Sequence, residues 1–192
     1  MTALAQALQE LLAALDRTET PFVVVGSVAS GAHGLARLTN DIDIVVDLPA
    51  ERVATLCEVL GPAFYADVGM VSRAVAVGRS FNLIHLASAY KFDLFPLGAD
   101  AFGRSELARR RFTAGTVSGL ENIEFPVASP EDTILAKLVW FRKGGEVSDR
   151  QWSDVLGVIK VQKDRLDRVY LEKWAETLGV LDLLIRAAAV SP

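Results

Sequence analysis

Leucines at positions 4, 8, 11, 12 and 15 return every three or four residues, the period of one apolar helix face, and predict an amphipathic helix over residues 2–16. The pattern then changes. "PFVVVGS" is a short apolar run that halts at a glycine, as a buried strand does before a turn. A short helix can follow Ser27 and stop near Gly34. "DIDIVVDL" alternates acid and apolar residues before it becomes wholly apolar, so it predicts the next strand. Pro49 is placed to start a helix over "PAERVATLCEVLG", with Gly61 as its stop. "SFNLIHLASAYKFDLFPLG" predicts two strands joined around residues 87–89, and "ADAFGRSELARR" a helix. A turn-rich stretch follows, with short strands near Phe112 and Phe125.

Beyond Pro126 the pattern is helical throughout. Ser129 is an N-cap with Pro130 at the first helical position and Asp132 three residues after the cap. Ser148 and Gln151 repeat the device. "DRVYLEKWAETLG" and "VLDLLIRAAA" complete the helical part. The pattern predicts an α/β (α+β) unit over residues 1–127 and a helical C-terminal part over 128–192 packed on it.

Composition adds boundaries. The 192 residues are 51% hydrophobic and 23% charged, enough apolar content for a core and too much for a disordered chain. The one cysteine, Cys57, excludes an internal disulfide framework and reads as core packing. The N-terminus has no basic start and carries Glu10 and Asp16, unlike a signal peptide. No window approaches the roughly 18 uninterrupted apolar residues of a membrane span. The expectation is a cytoplasmic protein. The net charge of −4 excludes a strongly basic nucleic-acid footprint over the whole chain, although Arg104, Arg109, Arg110 and Arg111 form one basic run. Two histidines and one cysteine offer no zinc spacing.

The acids in "NDIDIVV" carry the chemistry. On a strand, Asp41 and Asp43 project to one face with α-carbons about 6.6 to 6.8 Å apart. Two unpaired carboxylates on a half-buried face raise each other's pKa, and a divalent cation relieves the conflict. The competing reading ends a turn at Asp41 and turns Asp43 to solvent on an edge strand. Gly26 and Ser27 end one strand and open a helix, where backbone N–H groups and a hydroxyl can meet an anion. No Gly-Lys-Ser/Thr follows, so this is not a P-loop. Asp93, in "KFDLF", is a third acid inside a strand pattern; an exposed edge position competes with a ligand role.

In this order, Gly26-Ser27, Asp41-Ile42-Asp43 and Phe92-Asp93-Leu94 resemble the nucleotidyltransferase (polymerase beta-like) superfamily. "VVGSVASGAHGLARLTNDIDIVVD" is closest to the abortive-infection toxin-type nucleotidyltransferases, with His33-Gly34, Arg37 and Thr39 ahead of the acid pair. "SPEDTILAKL" resembles a later segment of that group in which a lysine, here Lys137, follows the helix start. The chain departs at Ser30, where many members carry arginine in Gly-Ser-x-Ala-Arg-Gly.

The resemblance implies a mixed sheet flanked by helices and transfer of a nucleoside monophosphate from an NTP to a hydroxyl. It implies Mg²⁺ or Mn²⁺ on Asp41, Asp43 and Asp93, and triphosphate contacts from Gly26, Ser27, Arg37 and Lys137. Asp154 and Arg150 resemble polar residues that follow the lysine in the toxin group. The toxin likeness implies tRNA as acceptor and an antitoxin protein as partner. Two other readings stay open: a small-molecule nucleotidyltransferase, for which an antibiotic is one acceptor, and a catalytically inactive relative that binds a nucleotide or partner. His33 reads as a packed or capping residue rather than one near the nucleotide base, His85 as structural, and Trp140, Trp152 and Trp174 as core or interface packing.

Overall fold

The structure is a computed structural model that describes residues 2–35, 39, 41–114, 119–121 and 123–190. Arg37 lies outside the described residues. The first helix, α1 (Ala3–Arg17), starts where the Thr2 hydroxyl accepts from the Ala5 N–H and buries the predicted leucine stripe. Strand β1 (Phe22–Val24) leads into α2 (Gly26–His33), and β2 (Asp41–Val46) follows. A 3-10 turn over Ala50–Arg52 opens α3 (Val53–Leu60), with Pro49 just outside it and Gly61 at its end.

The sequence pattern predicted no element over residues 62–79, yet β3 (Phe64–Tyr65) and α4 (Val68–Ala76) lie there. Asp67 caps α4 by accepting from the Met70 N–H. That Asp-x-x-Met step was the legible signal, and the polar interruptions around it masked the helical period.

Strands β4 (Phe81–His85) and β5 (Lys91–Pro96) form the predicted hairpin. Helix α5 (Ala101–Ala108) and strands β6 (Arg111–Ala114) and β7 (Glu124–Val127) complete this half. The helical remainder is α6 (Pro130–Lys143), α7 (Asp149–Gln162), α8 (Arg168–Thr177) and α9 (Leu181–Val190). Ser129, Ser148 and Asp167 cap the first three.

The seven strands form one mixed sheet in the order β3-β4-β5-β2-β1-β7-β6. Strand β2 is central, parallel to β5 on one side and antiparallel to β1 on the other. The sheet and α1 bury one apolar cluster that includes Leu8, Ile42, Ile44, Phe92 and Cys57. A second cluster joins Phe102 of α5 to Ile134, Leu138, Val158 and Leu183 of the C-terminal helices.

Helix α2 sits between the sheet and the pair α6–α7. A Cβ on Gly34, just after α2, would overlap the backbone of Val158. Gln162 Nε2 donates to the His33 carbonyl at 2.6 Å, and His33 Nε2 lies 2.7 Å from the Ala128 carbonyl. Burial lowers the His33 pKa, which favours the neutral ring.

An interdigitated polar knot ties α5, α6 and α8 together. Arg109 bridges Glu131 (3.1 Å) and Asp132 (3.5 Å) and lies 3.8 Å above the Tyr170 ring. The Tyr170 hydroxyl donates to Asp132 Oδ1. Among the described residues no helix is long and apolar enough to cross a membrane.

Candidate active site

The period-two alternation of β2 divides its residues cleanly. Ile42, Ile44 and Val46 are buried on the core face, while Asp41, Asp43 and Val45 are half-buried on the other. Strand β5 carries the same alternation in parallel register, so Asp41 pairs with Lys91, Asp43 with Asp93 and Val45 with Phe95. Register alone therefore places the three acids on one sheet face. Neither β2 nor β5 is an edge strand. The edge reading of Asp43 and Asp93 is thus corrected: each strand is flanked on both sides, β2 by β1 and β5, and β5 by β4 and β2.

The three acids are not equivalent. Asp93 is held by its neighbours: Lys91 Nζ stands 2.7 Å from Oδ2, and Asn82 of β4 donates to Oδ1. The Lys91 pKa is raised in return. Asp41 is met by the Thr39 hydroxyl, 3.0 Å from its Oδ1 and 2.9 Å from its backbone oxygen. The same hydroxyl is 3.0 Å from Ser27 Oγ, so a short chain of oxygens links the acid pair to the start of α2.

Asp43 receives no hydrogen bond to its carboxylate from any described residue. Its pKa is pushed up to about 6, by burial first and then by the charges of Asp41 and Asp93. These are the two effects that disfavour an ionised carboxylate.

Gly26 completes the corner. The Val25 N–H donates to the Asp43 carbonyl at 2.9 Å, which brings the chain directly beside the acid. Gly26 has φ +64°, and a Cβ there would overlap the Asp43 carboxylate. Only glycine satisfies both demands. The first turn of α2 therefore faces the acids with open backbone, as an anion-binding helix start requires.

A cleft of about 420 Å³ opens over this corner. Gly26, Ser27, Asp41 and Asp43 line its sheet side, and Lys137, Thr133, Gln151 and Arg150 its helical side. Lys137 is 6% exposed, and its Nζ stands 2.6 Å from Asp154 Oδ2. The two residues come from neighbouring helices, α6 and α7. Asp93 is one strand beyond Asp43 and does not line this cavity.

The donor chemistry suits a hard divalent cation. Asp41 and Asp43 offer adjacent carboxylate oxygens whose mutual repulsion a cation relieves. Among the described residues no three His, Cys, Asp or Glu side chains gather into a ready metal cage. Magnesium does not require one, because it is commonly held by one or two carboxylates together with water and substrate phosphate. The pair therefore fits such an ion, with Asp93 next in line on the same face.

Trp140 departs from its sequence reading. It is 54% exposed and lines the cleft mouth beside Phe95, with ring centroids 6.4 Å apart. Trp152 and Trp174 pack on the second apolar cluster as expected. His85 is buried between Glu10 and Ser88 on the far part of the sheet. Glu106 was not foreseen: it is buried on α5 yet lines the cleft.

No protein-family model and no curated protein sequence matches the chain. Solved structures do. The solution structure of antibiotic-resistance factor ANT(2'')-Ia matches with a TM-score of 0.51 at 16% identity, over 97% of this chain and 94% of that one. The crystal structure of ANT(2'')-Ia in complex with adenylyl-2''-tobramycin matches with a TM-score of 0.50 at 17% identity, over 98% and 99%. The fold is nucleotidyltransferase-like. At this identity the likeness establishes the fold and leaves the chemistry to the residues. The nucleotidyltransferase-like frame places a mixed sheet with flanking helices under the Asp41–Asp43 corner.

Proposed function

We propose that the protein transfers a nucleoside monophosphate from a nucleoside triphosphate to a hydroxyl of a small molecule. The observation that carries this reading is the register of β2 and β5, which sets Asp41, Asp43 and Asp93 on one sheet face, with Asp43 in contact with Gly26 at the helix start. The acceptor oxygen attacks the α-phosphorus, the bond to the bridging oxygen breaks, and pyrophosphate departs. Divalent ions held by Asp41 and Asp43, with Asp93 as the third acid, supply neutralisation of the phosphate charge.

The remaining work belongs to the chain. Ser27 and the first N–H groups of α2 hold the phosphates, and the Thr39 hydroxyl orients both Ser27 and Asp41. Lys137 exchanges its contact with Asp154 for the triphosphate. Asp93, steadied by Lys91 and Asn82, receives the acceptor proton. Arg37 remains assigned to the phosphate or acceptor by the sequence resemblance alone.

A small acceptor is favoured over tRNA by where the arginines go. Arg104 donates to the Gly98 and Ala99 carbonyls, Arg110 to the Leu107 carbonyl, and Arg109 is committed to Glu131 and Asp132. Arg142 pairs with Glu146 and Asp182. Three of the four arginines of the run make internal contacts and Arg111 stays exposed, which leaves little for an RNA backbone. ANT(2'')-Ia, which shares the fold, is found with an adenylylated small molecule.

The deciding experiment offers labelled triphosphates with Mg²⁺ to the protein, together with a panel of hydroxylated small molecules and total RNA. Label on a small molecule, lost in Asp43→Asn, supports the reading. Label on RNA alone replaces the acceptor. No pyrophosphate release with any acceptor refutes the enzyme and favours the inactive relative.

A further inference from the structure

The helical side of the cleft holds an unusual concentration of unsatisfied polar atoms. Among the described residues, the buried side-chain nitrogen and oxygen atoms without a hydrogen-bond partner are Glu106 Oε1, Arg109 Nε, Thr133 Oγ1 and Gln151 Oε1. Arg109 Nε at least faces the Asp132 carboxylate at 3.5 Å. The other three all line the same cavity as Gly26, Ser27, Asp41 and Asp43. They come from three different helices, α5, α6 and α7.

Burying a polar atom without a partner is costly, and native structures rarely do it by accident. Three such atoms converging on one cavity opposite an acid pair describe a wall awaiting a ligand. Thr133 precedes Lys137 by one helical turn, so the hydroxyl and the cation share a face of α6. Glu106 is 5% exposed and Thr133 3%, which leaves neither an easy exit to solvent.

The chemistry of the wall is acceptor-rich. The Gln151 side-chain carbonyl accepts, the Thr133 hydroxyl accepts or donates, and the Glu106 carboxyl presents oxygen alone. Burial, together with Asp132 and Asp100, pushes the Glu106 pKa up to about 8, so near neutral pH its acid form both donates and accepts. Such a set suits ribose hydroxyls and the edge of a base, where donors and acceptors alternate. It suits phosphate oxygens less, because the Gln151 carbonyl and the accepting oxygen of Glu106 have nothing to accept from them. Phe95 and Trp140 flank a continuation of the cleft of about 280 Å³ that also reaches Glu106, and flat aromatic surfaces there favour a planar ring.

We propose that Glu106, Thr133 and Gln151 form the nucleoside subsite, taking the hydroxyl and N–H groups of ribose and base, with Trp140 against the base. This rests on the proposed nucleotidyl transfer and adds to it which residues grip the nucleoside rather than the phosphates.

The test compares two kinds of ligand. ATP, GTP, CTP and UTP are each titrated calorimetrically against the whole protein with Mg²⁺, beside inorganic tripolyphosphate, which has the charge without the nucleoside. Thr133→Val and Gln151→Ala are each expected to weaken the preferred nucleoside triphosphate by roughly tenfold, the worth of a typical hydrogen bond. Tripolyphosphate affinity should stay within about twofold. Trp140→Ala, at an exposed position that does not threaten folding, should show the same selectivity. Glu106→Gln keeps a donor and an acceptor and should stay near wild type, whereas Glu106→Leu should not. Equal loss for both kinds of ligand, or loss for neither, overturns the nucleoside subsite; in wild type, binding of both kinds still supports the proposed function. A wild-type protein that binds neither ligand overturns the proposed function as well.

Discussion

Gly26 and Asp43 are in mutual contact across β1 and β2: the space that a side chain on Gly26 would fill is taken by the Asp43 carboxylate. Gly26→Ala therefore forces the acid aside and strains a left-handed residue, φ +64°. Such a residue costs on the order of 1–3 kcal/mol. The expected outcome is a lower melting temperature together with transfer reduced by at least about a hundredfold. Circular dichroism melts and pyrophosphate release check the two parts. A melt that falls while activity holds would detach the glycine from the site.

Asp43 carries a predictable pH signature. Its folded pKa, pushed up to about 6, lies above the ordinary carboxylate value near 3.9. Between these values the folded state binds more protons than the unfolded one, so this group's contribution to stability falls as pH rises from about 4 to 6. Asp43→Asn removes that loss. Without divalent ions the variant should be more stable at pH 7 by up to about 3 kcal/mol, with the gain vanishing below pH 4. Mg²⁺ should raise the melting temperature of wild type and not of the variant. Denaturant titrations across pH, with and without Mg²⁺, measure both.

Glu106 gives a second profile at higher pH. Its pKa near 8 means that the folded state holds a proton which the unfolded chain releases near 4.5. Stability from this group is greatest below that value and declines as pH rises to about 8. Glu106→Gln should flatten the decline and melt higher than wild type at pH 9. Identical melting curves for the two proteins between pH 5 and 9 would contradict the buried acid.

The Lys137–Asp154 pair makes stability and binding separable. Lys137→Met keeps the stem but deletes the ammonium, leaving Asp154 without its 2.6 Å ion pair in a buried place. About 3 kcal/mol of stability should be lost, and triphosphate affinity should fall. Asp93→Asn is expected to act differently. It should slow transfer by about a hundredfold or more with triphosphate affinity nearly unchanged. Single-turnover rates beside equilibrium binding distinguish the two; a reversed pattern would exchange their roles.

Much of this site is legible in the sequence. The alternation Asp41-Ile42-Asp43-Ile44 showed that those two acids share a face, and "KFDLF" set Asp93 opposite its apolar neighbours, but only the register of β5 on β2 joins it to the pair. The caps at Ser129 and Ser148 marked the starts of α6 and α7. Neighbourhood was not legible. Alternation gives a face but not a partner, so Asp43 could be assigned to an edge although β5, far along the chain, pairs beside it. Trp140 sat in an apolar helical period and read as core or interface packing, but the helix stands at the cleft mouth and turns that residue outward. Glu106 resembled any surface acid in "RSELARR"; only the packing of α5 against the C-terminal helices buries it.

The seating of α2 carries one last consequence. Its tail is pinned by Gln162 and by the backbone around Val158, both contributed from more than a hundred positions downstream. The corner that would grip phosphate thus has its foundation in the last third of the polypeptide. A fragment ending at Val127 would keep every acid and yet lose the buttress that aims them. The geometry of this corner is a property of the assembled whole, and any minimal version that keeps it must retain α6 and α7.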